Sequence, residues 1–144
     1  MTETDGIVKG IRPGTIDDIP WMLGLLQELH AMSETPVPFN VPAAMAEIAQ
    51  AIASPEMLCL VVDGVAILGA AIATQGGVRI AHERVWITRE PGWGRKLMAE
   101  YEAWAREHGC AFVRLNPKMG DARTERLLDR SGYAPVEVSW AKAL

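Results

Sequence analysis

The sequence predicts a single mixed α/β domain, with a central, mostly antiparallel sheet of six to seven strands and about four helices on both of its faces. Three observations carry this. Two apolar runs, Met57 to Val62 and Val65 to Ala73, flank Asp63-Gly64, a dipeptide suited to the positive backbone angles of a tight hairpin. Leu97, Met98, Tyr101, Trp104 and Ala105 recur at the spacing of one helix face. The strand-like runs are apolar with only weak alternation, the pattern of a sheet covered on both sides.

Ile7 to Arg12 reads as a short first strand. Thr15 with Asp18 three residues on resembles a capping box, Asp replacing Glu, and opens a helix to about Met32. Ile19, Met22, Leu23, Leu26 and Leu29 make a stripe that suits a sheet, and Pro20 is tolerated in the first turn. Pro36, Pro38 and Pro42 put residues 33–42 in a loop. An alanine-rich helix follows from about Ala43 to Ala53 and stops before Pro55. Beyond the hairpin, Gly76-Gly77 marks a turn, so Val78 to Thr88 returns as an antiparallel strand. The next helix runs to about His108 and ends at Gly109, a natural C-terminal cap. Ala111 to Leu115 reads as a buried strand, Asp121 to Arg130 as a helix capped by Gly132, and Tyr133 to Ala143 as one or two final strands.

With 144 residues the chain suits one domain over its whole length, residues 1–6 being flexible. Its 49% hydrophobic and 22% charged residues exclude a disordered chain. Fourteen basic against 18 acidic side chains, a formal charge of −4, argue against nucleic acid and anionic membrane as partners. No apolar run approaches the roughly 20 residues of a membrane span. The start of the chain, with Glu3 and Asp5, lacks a basic region followed by an apolar core, so a cytoplasmic protein is expected. Cys59 and Cys110 lie in apolar runs without metal-ligand spacing. They read as buried thiols in a reducing compartment, with a single disulfide as the alternative and no metal expected.

Arg89, Glu90, Pro91, Gly92, Trp93 and Gly94 sit where a strand pattern gives way to a helix pattern. Backbone N–H groups at a helix start lack intrahelical partners and carry the positive end of the peptide dipoles, so an anion is stabilised there. Glycine leaves room for it. An ordinary turn is the competing reading, since the spacing is neither that of the P-loop nor GxGxxG.

The order of elements is similar to that of the GNAT N-acetyltransferase superfamily. Its coenzyme A loop is commonly written Gln/Arg-x-x-Gly-x-Gly/Ala, and Arg89, Gly92 and Gly94 fill it in order. Trp104 to Val113 (WAREHGCAFV) looks like the family's helix end and fifth strand, and Leu127 to Tyr133 (LLDRSGY) resembles its closing signature. The resemblance implies a GNAT-like sheet splayed between its fourth and fifth strands, and acetyl-CoA-dependent transfer of acetyl directly to a primary amine. Backbone N–H groups of Glu90, Gly92, Trp93, Gly94 and Arg95 would cradle the pyrophosphate, with charge from Arg89 and Arg95. The pantetheine arm would pair along Trp86, Ile87 and Thr88, and an N–H near Ile87 would stabilise the oxyanion as the thioester is attacked. Asn116 is a candidate partner of pantetheine or substrate, although turn initiation before Pro117 explains it equally well.

By the same resemblance, Glu83 is the candidate general base, a role that removes the proton of the attacking amine. Strand alternation puts it on one face with Val85 and Ile87, and an apolar strand should raise its pKa. The other reading is a salt bridge to Arg79, Arg84 or Arg114. His82 points to the opposite face. The family's acid, a tyrosine on the closing helix, is matched by Leu128, and Tyr133 reads as core. Lys118, Arg123, Arg126 and Arg130 read either as contacts to the 3′-phosphate end of coenzyme A or as a solvated face. The Ser33 to Asn40 loop, with Glu34 and Phe39, is where the family shapes its acceptor pocket, whether for a small molecule or a protein amine. Trp21, Trp86, Trp104 and Trp140 read as core or interface anchors. The tail with Val136, Val138 and Trp140 offers an edge strand for a homodimer. The loss of the tyrosine and the short approach to the loop, with only Thr88 between Ile87 and Arg89 where the family usually has several residues, motivate a different class, a degenerate, catalytically weak coenzyme A-binding or interaction protein.

Overall fold

A computed structural model describes residues 9–118 and 120–144. The predicted flexible stretch 1–6 and the start of the predicted first strand lie outside the described residues. The sheet contains β1 (Arg12–Pro13), β2 (Met57–Val62), β3 (Ala66–Gln75), β4 (Val78–Thr88) and β5 (Phe112–Arg114), in that spatial order. All neighbours are antiparallel except β4 and β5, which are parallel. The Asp63-Gly64 hairpin forms as expected, Val65 donating its N–H to Val62 O at 2.8 Å while Gly64 takes φ +66°.

Four helices cover the sheet: α1 (Ile19–Met32), α2 (Val41–Ala53), α3 (Trp93–Glu107) and α4 (Ala122–Arg130). Side chains alternate between two faces along each strand, so the sheet carries two cores. Leu60, Val62, Leu68 and Ala81 pack with Leu97, Tyr101 and Ala105 of α3. On the other face Cys59, Val61 and Ile67 pack with Met22 and Leu25 of α1 and Ile48 of α2.

Three local outcomes differ from the sequence reading. Helix α2 starts at Val41, because the Asn40 side chain accepts the Ala43 N–H at 2.9 Å and Pro42 is harmless in a first turn. The described sheet has five strands rather than six to seven. The tail from Tyr133 forms no strand, since β5 is three residues long and runs into Pro117, leaving little edge to pair along. Both cysteines are free thiols, Cys59 buried and Cys110 partly so. No described helix is long and apolar enough to cross a membrane.

Candidate active site at the opening of the sheet

Strands β4 and β5 pair only over Ile80↔Phe112, Ala81↔Val113 and His82↔Arg114, and beyond that point β4 runs on to Thr88. The sheet therefore opens at Glu83. A one-residue bulge lies at the same place: Ala70 pairs with Glu83 and Gly69 with Val85, leaving Arg84 as the extra residue.

The bulge corrects two expectations drawn from plain alternation. Glu83 pairs with Ala70 of the α3-facing core, whereas Val85 and Ile87 pack with the α1 and α2 core, so Glu83 does not share their face. Backbone direction shifts with the side chains. Arg89 donates its N–H to Val65 O at 2.8 Å, so alternation turns the Ile87 N–H toward β3 as well. Trp86 and Thr88, not Ile87, present their backbone groups to the open edge.

Glu83 is 9% exposed. Its Oε1 accepts the Asn116 N–H at 3.3 Å and its carbonyl accepts Asn116 Nδ2–H at 3.4 Å, so the carboxyl leans toward the end of β5 at the mouth of the opening. Burial pushes its pKa up to about 7 against the opposing pull of the Asn116 bonds. The alternative salt bridges are absent among the described residues. Arg79 pairs with Glu56 at 3.0 Å and Arg114 with Glu137 at 2.9 Å, while Arg84 reaches no carboxylate. His82 lies on the opposite face, its pKa held down by burial and then by Arg84 and Arg114. Sequence periodicity marked Tyr101 only as core. Its hydroxyl in fact donates to Arg114 O at 2.9 Å beside the opening, and burial, then the Glu83 charge, keeps the phenol protonated. No sequence signal separates this tyrosine from the apolar residues of its helix face.

The junction into α3 is tightly folded. Thr88 Oγ1 donates to Glu90 O at 2.7 Å and accepts the Glu90 N–H at 3.1 Å, so that N–H is engaged within the turn. Pro91 has none to offer. Gly92 adopts φ +91° as the N-cap, and no side chain caps the helix. The N–H groups of Gly92, Trp93, Gly94 and Arg95 thus stand where an α-helix has no internal acceptors. Trp86 pins this end to β4 by donating Nε1–H to Gly94 O at 3.1 Å, and Trp93 lies against Gly10 with Lys96 Nζ 4.8 Å from its ring. Arg89 turns away from the helix start. It pairs with Glu28 of α1 at 2.5 Å and donates to Gly64 O at 3.3 Å, leaving Arg95 and Lys96 as the exposed cations beside the glycines.

On the closing helix, Leu128 is buried and carries no proton to give. Tyr133 donates its hydroxyl to Glu102 Oε2 at 2.7 Å, with burial and that carboxylate raising its pKa. Arg123, Arg126 and Arg130 are exposed on α4, and Lys118 is exposed before it. Among the described residues no group of three or more His, Cys, Asp or Glu side chains stands where it could hold a metal ion. A cavity of about 330 Å³ lies on the face opposite Glu83, between α1, α2 and the sheet, and reaches Arg84 and Val85 at the bulge.

No family model matches the chain, and no curated protein matches it by sequence. Solved structures match its fold. An acetyltransferase of Trypanosoma brucei is 20% identical with a TM-score of 0.70, covering 93% of this chain and 98% of that one. A transcriptional regulator from Bacillus halodurans is 17% identical with a TM-score of 0.74, over 93% and 98% of the two chains. AAC(6′)-Iy in complex with the bisubstrate analogue CoA-S-monomethyl-acetylneamine is 15% identical with a TM-score of 0.69, over 93% and 97%. At these identities the likeness is one of fold, and it spans nearly the whole chain.

Proposed function

We propose that this chain, which has the fold of the GNAT acetyltransferases, moves an acetyl group from acetyl-CoA to a primary amine, with Glu83 as general base. One observation carries the reading: a buried carboxyl leaning into the point where β4 and β5 part, with a pKa near 7. A group of that kind is half ionised near neutral pH, and so can accept a proton from an amine without being too weak a base.

The residues present fit coenzyme A. The uncapped N–H groups of Gly92 to Arg95 suit a pyrophosphate, reinforced by Arg95, and the open β4 edge at Trp86 and Thr88 suits the amides of pantetheine. Acetyl-CoA, when bound, supplies an acyl carbon activated by a thiol leaving group. Trp86 orients the binding helix against the strand through its bond to Gly94 O. The Asn116 N–H holds the Glu83 carboxyl toward the opening. Glu83 takes the proton of the amine, directly or through one water.

Leu128 favours the second reading, a coenzyme A-binding protein of the same fold with weak catalysis. A thiol leaving group has a pKa near 8.5, so solvent can protonate it and a dedicated acid is not obligatory. Calorimetry with acetyl-CoA followed by thiol release over a panel of amines separates the two. Binding with release supports the transferase, binding without release supports the weak binder, and failure to bind removes both.

A homodimer belongs to the same reading. Val136, Val138 and Trp140 alternate along an exposed tail that the Arg114–Glu137 pair draws toward β5, whose outer edge is unpaired among the described residues. Sedimentation of the full chain and of Trp140→Ser tests it: a dimer weakened by the substitution is expected, and two equal monomers discard it.

A further inference from the structure

The cavity between α1, α2 and the sheet, at about 330 Å³, lies near the small end of ligand pockets. Met22, Leu26 and Leu29 of α1, Ile48 of α2 and Val85 of β4 make its walls apolar. The loop between α1 and α2 borders one side through Ser33 and Phe39. The His30 ring meets the Phe39 ring edge-on at 5.5 Å, and His30 Nε2 stands 2.5 Å from Val37 O.

Against this apolar wall stands Arg84, the extra residue of the bulge. Of the arginines on the sheet, Arg12, Arg79 and Arg114 pair with carboxylates, whereas the Arg84 side chain, like those of Arg95, Arg126 and Arg130 on the helices, has no hydrogen-bond or ion-pair partner among the described residues. A free guanidinium beside apolar surface attracts an anion and repels a polycation. It also follows Glu83 directly in the chain, at the bulge where β5 no longer pairs with β4 and that edge of the strand is open.

We infer that the acceptor is an apolar primary amine with a carboxylate on the carbon next to the amine, an apolar amino acid in chemical class. Arg84 holds the carboxylate, the apolar side chain fills the cavity, and the amine faces the opening beside Glu83. Glu47 of α2, the cavity's acidic side chain, disfavours a second carboxylate at the far end. The inference rests on the acetyl-transfer reading and names its second substrate. In the reaction a C–N bond forms to the acetyl carbon, the C–S bond breaks, and the proton released by nitrogen passes through Glu83 and ends on the coenzyme A thiolate.

The test uses the full chain with acetyl-CoA and L-phenylalanine, L-leucine and L-methionine, each beside its amide, with spermidine as a polycation. Thiol release is expected to give a kcat/KM at least about tenfold higher for one of the free amino acids than for its amide, the worth of a charge-assisted pair. Arg84→Met should close that gap while leaving acetyl-CoA binding intact, and because Arg84 is exposed the variant should keep the parent's melting temperature, which separates loss of the contact from loss of the fold. No preference for any free amino acid over its amide, or better turnover of spermidine, overturns the inference while leaving acetyl transfer standing. Thermal shift with the amino acids alone separates the remaining case. Arg84-dependent stabilisation without any acetyl-CoA binding keeps the cavity assignment and removes the transferase.

Discussion

Gly69 lies beneath two consecutive side chains of the neighbouring strand: a Cβ built on it would come within 3.0 Å of Val85 Cγ1 and 4.0 Å of Arg84 Cβ. The contact with Arg84 is an ordinary one, but that with Val85 is tighter than a Cβ normally makes, so glycine leaves the Val85 side chain its place. Gly69→Ala should force Val85 to shift and cost about 1–3 kcal/mol, the usual range for overpacking. Because the same bulge sets where Glu83 points, turnover should fall further than acetyl-CoA affinity. Denaturant unfolding and single-turnover kinetics on one preparation check both halves.

Glu83 couples activity and stability in opposite senses. Its folded pKa of about 7 lies above the ordinary value of 4.5, so the native state holds a proton that the unfolded chain has lost. The contribution of Glu83 to stability is therefore greatest below about pH 4.5, falls as pH rises toward 7 and then levels off, a loss of roughly 3 kcal/mol. Glu83→Gln should match the parent near pH 4 and melt higher at pH 8. Its kcat/KM should drop by about two to four orders of magnitude and lack the rise with pH through neutrality expected of the parent. A melting curve over pH and a pH–rate profile give the two readouts.

Gly92 and Gly109 bracket α3 and provide a matched pair. Both have positive φ, +91° and +72°, and neither would meet a heavy atom within 4 Å if it carried a Cβ. Alanine at either site should cost about 1–2 kcal/mol of backbone strain. Only Gly92→Ala places a methyl group at the uncapped helix start. Calorimetry should find acetyl-CoA affinity reduced in that variant and unchanged in Gly109→Ala; equal affinities would move the pyrophosphate elsewhere.

The local signals were legible in the sequence: Asp63-Gly64 made its hairpin, Gly109 ended its helix, and Arg89 to Gly94 marked the strand-to-helix junction. What escaped depended on partners distant in the chain. The bulge at Arg84 is invisible to a period-two pattern, because it exists only in the pairing of β4 with Gly69 and Ala70 of β3. That single insertion moved Glu83 away from the face of Val85 and exchanged Ile87 for Trp86 and Thr88 at the open edge. Arg89 fits a phosphate motif by spacing, yet Glu28, 61 residues earlier, takes its guanidinium. The alternating tail reads as strand, but strand formation also requires an edge, which three residues of β5 hardly offer.

Asp18 anchors the first turn of the fold to the sheet edge. Its buried carboxylate accepts from Arg12 Nη1 at 2.8 Å and Nη2 at 2.6 Å, from Thr15 N at 2.8 Å and from Trp21 Nε1 at 2.9 Å, while Arg12 also pairs with Asp63. Arg12 above all, aided by Trp21 and Thr15, holds the carboxyl well below the usual carboxylate range. A depressed pKa contributes stability above the unfolded value near 4 and loses it as pH falls through the folded value. Asp18→Ala should therefore cost about 3 kcal/mol or more at pH 7, because Arg12, Trp21 and Thr15 all lose a partner in a half-buried setting. The penalty should shrink on acidification, as Asp18 takes up a proton in the parent's unfolded chain before it does in the folded one. Urea unfolding at pH 7 and pH 3 reads the difference, and a penalty that stayed constant between them would assign the effect to packing instead of charge.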